Sequence, residues 1–448
     1  MSSQHKPTPE SMRHHWLAFT SNRRFHQSPK LVSKADGLFY HTPDGHKLYD
    51  SLSGLWCAPL GHGNAQITEA ITAQLSELDY APAFNVSHPK AFELSEKLAS
   101  LAPGDLDHVL YCSSGSEAAD TALKLARAYW RAKGRPEKTK FIGRAKGYHG
   151  VNFGGISVGG IGPNRKSYGQ TLDAYHLPHT WLAENAFSRG LPAEGDHLAD
   201  ALNHILEVQD ASNIAAVIVE PMAGSGGVIV PSAGYLKRLR ALCDKHEILL
   251  IFDEVITGFG RMGELFGADF FGVQPDILTC AKALTNGVVP MGAVIANHEI
   301  YQSMMAQPGD EYSIEFMHGY TYSAHPLGCA AALASLEQIA QPAMLENVKS
   351  LSQVFENAIH DLRGLPLVED IRNIGLAGAV QIQADAAHPL KRASDISALC
   401  WEKGVYVRFG GNNLSFAPPF ISQPQDIHEI FARVAEAISE YAIQQGLN

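Results

Sequence analysis

The stretch Ile248-Leu249-Leu250-Ile251-Phe252-Asp253-Glu254-Val255 decides how this chain is read. Large apolar side chains run without a break into a carboxylate, the pattern of a strand buried on both faces with an acid at its tip. A second short apolar run, Ile277 to Ala281, ends on Lys282. If both are strands of one sheet, their ends bring a carboxylate and an amine to the same edge. Taken singly, each has an ordinary reading: Asp253 as a cap or loop-bonded strand end, Lys282 as a lysine snorkelling to the surface. Yet a buried carboxylate without a cationic partner is costly. Lys282, for its part, stands between an apolar strand and Leu284-Thr285-Asn286-Gly287, a poor place for a solvated charge.

Outward from this pair, short β-rich runs alternate with helical ones. His108 to Cys112, Lys140 to Gly143, Ala215 to Glu220 and Gly292 to Ala296 read as further strands, and Glu117 to Arg131 and Gly234 to His246 as amphipathic helices. Strand and helix in alternation imply an α/β fold with a mostly parallel sheet covered on both faces. This rhythm places a large domain over 61–325. The segment 1–60, with a turn at Thr42-Pro43-Asp44-Gly45, joins 326–448 in a smaller α+β domain. Within the latter, Ala377 to Gln381, Gly404 to Arg408 and Leu414 to Ala417 read as strands.

The chain has 448 residues, 45% hydrophobic and 18% charged, with a formal net charge of −11. That acidic balance argues against nucleic acid or an anionic membrane as the main partner. No apolar run approaches the ~18 residues of a membrane span, and the polar first residues lack the apolar core of a secretory signal. The six cysteines show no C-x-x-C spacing and sit mostly in apolar stretches, as buried thiols of a reducing compartment do. The expectation is a soluble cytoplasmic protein.

Ser113-Ser114-Gly115-Ser116-Glu117-Ala118 joins a strand to a helix. Free N–H groups at a helix start, flanked by small hydroxyl residues, suit an anion such as phosphate; simple helix capping by Ser114 or Ser116 is the plainer alternative. Beside an amine and a carboxylate, the phosphate reading prevails. A lysine able to form a Schiff base, an acid to pair a pyridine nitrogen and a phosphate cup are the requirements of pyridoxal phosphate. Tyr148-His149-Gly150 is ambiguous, although a flat ring cofactor needs an aromatic stacking partner. Arg408, at a strand end, is either an edge-strand surface arginine or a bidentate clamp for a substrate carboxylate.

Gly258-Phe259-Gly260-Arg261-Met262-Gly263 fits a dinucleotide fingerprint in letters only, because Asp253 to Thr257 separate it from the strand and no convincing helix follows. The glycines of 154–162 lack the ending of a P-loop and read as a flexible loop. His176 with His179, and His14 with His15, lack further ligands at metal spacing, and no metal is assigned.

Together these residues resemble the class III aminotransferases of PLP fold type I, from about Trp16 to the C-terminus. The strings that carry the likeness are Ser114-Gly115-Ser116-Glu117-Ala118, Tyr148-His149-Gly150, Glu220-Pro221, Asp253-Glu254-Val255 with the glycine motif after it, Lys282, and Gly319-Tyr320-Thr321-Tyr322-Ser323-Ala324-His325-Pro326. Asp50-Ser51-Leu52-Ser53-Gly54-Leu55-Trp56 and Tyr406-Val407-Arg408-Phe409-Gly410-Gly411 are most similar to ω-amino acid (β-alanine):pyruvate aminotransferases.

The resemblance implies that Lys282 forms the Schiff base and then moves the substrate proton, and that Asp253 pairs the pyridine nitrogen with support from Glu220. It implies Tyr148 on one ring face and Val255 on the other, with Gly115 and Ser116 at the phosphate. Thr321, with the Tyr320 region, would reach in from a partner subunit, so the assembly would be a homodimer, or dimers paired into a tetramer. Trp56, Phe19 and Phe84 would wall the donor pocket, and Arg408 would clamp the keto acid. The ornithine and γ-aminobutyrate branch carries a glutamate where this chain has Ser225, and a glutamine where it has Ile256. Lacking that glutamate, the chain is expected to favour pyruvate over 2-oxoglutarate. The reaction implied is ping-pong transfer of an amino group from an ω-amino acid or amine to pyruvate. The rivals are a γ-aminobutyrate, ornithine or polyamine aminotransferase and a decarboxylating relative.

Overall fold

The computed structural model describes residues 8–447. Its centre is a seven-stranded sheet of β1 (Leu106–Cys112), β2 (Lys140–Arg144), β3 (Ala174–Leu177), β4 (Ile214–Val219), β5 (Leu249–Asp253), β6 (Ile277–Cys280) and β7 (Gly292–Asn297). They lie in the order β1-β7-β6-β5-β4-β2-β3. Neighbours from β3 through β6 are all parallel, and β7 alone runs against both of its neighbours. Every residue of β4, β5 and β6 is buried. Helices on both faces exclude water from these strands, so no polar alternation survives in their sequence. Helix α1 (Gly115–Ala132) turns Ala118, Ala122, Leu125 and Ala126 toward the sheet. Helix α2 (Tyr235–Lys245) buries Leu236, Leu239 and Cys243 just before β5.

A short helix, α3 (His298–Met305), leaves β7 under an Asn297 cap. After a long connection comes α4 (Pro326–Ile339), whose alanine-rich surface is buried almost all round; it packs in the same core as Leu250, Leu278 and Ile295 of the large sheet. Two further sheets complete the fold. In one, antiparallel strands Lys34–Asp36, Phe39–His41 and Lys47–Asp50 are joined in parallel by Val405–Tyr406. In the other, Val368–Ile374, Ala377–Ile382, Asn413–Phe416 and Arg408–Gly410 lie in that order as an antiparallel sheet.

The strands expected in the large sheet occur within two residues of their sequence limits. Among the elements that were not anticipated are the strands β3 and Val368–Ile374. The run Gly404 to Arg408 is not one strand but two pieces broken at Val407: Tyr406 pairs with Asp50 in one sheet, while Arg408 pairs with Ser415 in the other. A chain that changes sheets must bend, and Arg408 is carried by that bend. Among the described residues no helix is long and apolar enough to cross a membrane.

Candidate active site

The ends of β1, β4, β5 and β6 converge on a cavity of about 140 Å³ lined by Gly115, Ser116, Tyr148, Gly150, Glu220, Asp253, Val255, Ile256 and Lys282. Seven residues singled out from sequence therefore meet in one place. Larger cavities exist, one of about 370 Å³ beside Arg165, Lys166 and His176, but none of the predicted cofactor residues lines it.

Asp253 is buried, and its Oδ2 lies 2.8 Å from Nδ1 of the fully buried His149. Its Oδ1 accepts the Val255 N–H at 3.2 Å. Nε2 of His149 is buried without a hydrogen-bond partner among the described residues. Glu220 accepts the N–H groups of Tyr148 at 2.9 Å and of Gly224 at 3.1 Å; burial raises its pKa above the usual carboxylate range. Lys282 directly follows the residue after β6 and holds a left-handed backbone, φ 46°. Such strain in a residue with a side chain persists only where its surroundings enforce it. Its amine makes no hydrogen bond or ion pair among the described residues. Burial lowers its pKa, against the opposing pull of Cys57, Asp253 and Glu220, and Arg408 lowers it further. A lysine held toward its neutral form is a nucleophile.

At the other end, α1 begins at Gly115 with Ser114 as its cap, whose hydroxyl accepts the Glu117 N–H at 3.2 Å. Capping and anion binding are thus not exclusive: the N–H groups of Gly115 and Ser116 have no acceptor among the described residues. A Cβ on Gly115 would come within 2.9 Å of Val255, and one on Gly150 within 2.6 Å of the Ser116 backbone. The glycines let this loop close over a small space without filling it. Two open N–H groups at a helix start, an unpartnered amine and a buried carboxylate–imidazole pair suit the phosphate, carbonyl carbon and ring nitrogen of pyridoxal phosphate. The residues present fit that cofactor.

The other residues named from sequence lie outside this cavity. Trp56 is in the core at 5% exposure, with Leu55 outside instead. Phe19 and Arg408 line a separate cavity of about 380 Å³ with Arg24, Lys30 and Trp401. Phe84 is exposed and lines a third with Gly319. The Tyr320 hydroxyl lies 3.3 Å from Oγ1 of Thr121 on α1, and the Thr321 carbonyl accepts from the Tyr80 hydroxyl at 3.1 Å. Arg408, in that separate cavity, is exposed, and it is near enough to act electrostatically on both Tyr148 and Lys282. Two contributors escaped the sequence reading. His149 was visible only as the neighbour of Tyr148, and Gly150, which closes on the Ser116 backbone, only as the residue after it.

The aminotransferase class-III family model matches residues 20–438. The chain belongs to the class III aminotransferases. It is a transaminase of the pyridoxal phosphate-dependent type. This class III aminotransferase is 53% identical to the omega-amino acid–pyruvate aminotransferase of Pseudomonas putida over 428 residues, 95% of each chain. It is 52% identical to the beta-alanine–pyruvate aminotransferase of Pseudomonas aeruginosa, over 96% of this chain and 97% of that one. Among solved structures it superposes with a TM-score of 0.88 on an amine transaminase from an uncultivated Pseudomonas species in its PLP-bound, internal aldimine form (37% identity, 95% of this chain and 98% of that one). It also superposes with a TM-score of 0.90 on an (S)-enantioselective omega-transaminase from Thermomicrobium roseum, at 33% identity over 96% of this chain and 97% of that one.

Proposed function

We propose that this class III aminotransferase transfers the amino group of an ω-amino acid or amine, such as β-alanine, to pyruvate, giving a semialdehyde or aldehyde and L-alanine in a ping-pong reaction. The observation that carries this reading is Arg408: an exposed guanidinium that acts electrostatically on Tyr148 and Lys282, its side chain free of any hydrogen bond or ion pair among the described residues. A planar fork left open suits the carboxylate of a small keto acid. Ser225 stands where the ornithine and γ-aminobutyrate branch has an acid that would occupy such an arginine.

Bound pyridoxal phosphate supplies a carbonyl to capture the amine and a protonated ring that draws electrons from the substrate carbon. Lys282 would hold the cofactor and, once displaced, take the proton from the substrate carbon and return it to the cofactor carbon, serving both half-reactions. Asp253, held by His149, would keep the proton on the ring nitrogen, with Glu220 fixing the Tyr148 backbone beneath. Gly115 and Ser116 would bind the phosphate, while Tyr148 and Val255 sandwich the ring. Trp56, Phe19 and Phe84 are proposed for the donor side.

The reading includes a homodimer, with Tyr320 and Thr321 completing the partner subunit's site, in the cytoplasm. It divides the chain into a cofactor-binding domain over 61–325 and a smaller unit formed by 1–60 and 326–448. The test is a donor screen run with pyruvate and with 2-oxoglutarate, following alanine or glutamate. Alanine formed from β-alanine with pyruvate, with little glutamate from 2-oxoglutarate, is expected. Equal use of both acceptors, or release of carbon dioxide, would contradict the proposal.

A further inference from the structure

Far along the sheet from the cofactor cavity, Asp107, His108 and His298 place three ligand atoms within 4.8 Å of one another. The local fold explains why. Ala296 of β7 pairs with His108, but Asn297 pairs with Leu106, so Asp107 is the extra residue of a bulge. A bulge lets consecutive side chains of a strand leave their usual opposite faces, and here Asp107 and His108 turn to the same side: Oδ1 of Asp107 lies 2.5 Å from Nδ1 of His108. His298 opens α3 just after the Asn297 cap, and its Nδ1 is 3.7 Å from Oδ2 of Asp107. The His108 ring is fixed by stacking on Tyr301, with centroids 3.8 Å apart. None of the three pairs with a lysine or arginine among the described residues.

We propose that Asp107, His108 and His298 form a site for a borderline divalent metal ion of the zinc type, which clips the start of β1 to the start of α3. Two imidazoles and one carboxylate are the donor set of zinc rather than of calcium or magnesium, which take oxygen. Ligand atoms around a tetrahedral ion with bonds of about 2.0 Å stand about 3.3 Å apart. The observed separations, taken from different oxygens of Asp107, fall on either side of that value: 2.5 Å from Oδ1 to His108 and 3.7 Å from Oδ2 to His298. All three side chains reach solvent, so water supplies the remaining positions. Sequence spacing hid this group, because β1 and α3 lie far apart along the chain.

The test uses the full chain as holoenzyme, without a histidine tag and stripped of trace metal, titrated calorimetrically with zinc chloride. One saturable zinc per chain and a rise in Tm are expected. In His298→Ala and Asp107→Asn the affinity should fall at least about tenfold, with transaminase activity unchanged. Cobalt(II) in place of zinc should give a visible ligand-field band in the native chain that is absent from His298→Ala. Binding that is not saturable, or that both variants retain at native affinity, would overturn the site and assign any bound zinc to other histidines.

Discussion

At the scale of the residue, the proposed chemistry rests on Lys282 and what surrounds it. Replacing it by alanine removes the only amine in the cavity lining, so the Lys282→Ala protein is expected to lack the yellow cofactor absorbance and to lose at least about 10³-fold in turnover, the range in which positioned acid–base groups act. Visible spectra and an alanine assay check this together. Arg408→Ala is a sharper probe, because it separates the half-reactions. Amine donation should persist, while use of pyruvate falls by about 10²-fold, in keeping with loss of a charged, bidentate contact. Equal damage to both half-reactions in single-turnover experiments would remove Arg408 from its role. Both residues were legible because each follows an apolar run that ends on a charge. His149 was not, since the Asp253 contact closes across the sheet between residues whose spacing says nothing of distance. Trp56 was named from a family-like string, and the structure adds that its side chain is buried.

At the scale of the element, the turn after β5 is held by Glu254. This buried carboxylate accepts from the Thr257 hydroxyl at 2.6 Å and from the N–H groups of Gly267 at 2.6 Å and Ala268 at 2.7 Å. Burial raises its pKa from 4.5 to about 7. Because the folded value lies above the ordinary one, the folded state favours the protonated form. The stability this contributes is complete below pH 4.5 and disappears as pH rises through about 7. Its size is on the order of 3 kcal/mol. Glu254→Gln cannot titrate and turns an amide donor toward an N–H, so its Tm should lie below native in acid, with the gap narrowing as pH rises across this window. A gap that stays constant would contradict the assignment. Six strands of the large sheet were legible, the fully buried ones among them as unbroken apolar runs, whereas β3 was not. The break at Val407 was not, since a switch between sheets is decided by pairing partners at Asp50 and Ser415 that local pattern does not name.

At the scale of the whole molecule, Arg261 ties three parts of the chain together. It sits in the glycine motif that mimics a dinucleotide fingerprint, in a stretch of turns with Phe259, Gly260 and Gly263 all at positive φ. Its buried guanidinium donates to the carbonyls of Leu376 at 3.1 Å and Pro418 at 2.8 Å, and to Oγ of Ser53 at 3.3 Å. The glycines thus serve to aim an arginine between the N-terminal segment, the large sheet and the C-terminal antiparallel sheet. Arg261→Met leaves buried carbonyls unpaired, at about 1–3 kcal/mol each, and should lower Tm and loosen the cavity mouth. Thermal unfolding with intact visible absorbance at low temperature would distinguish this from loss of the site. The motif's letters could be read from sequence; its purpose could not, because Leu376 and Pro418 are brought to it only by the finished fold.

The central claim is that Lys282 is the residue that carries the cofactor. Borohydride reduction of the yellow protein, followed by proteolysis and mass spectrometry, tests it most directly. The expected result is a single reduced pyridoxyl phosphate adduct on the peptide containing Lys282. An adduct on another lysine, or none despite bound cofactor, would contradict the account.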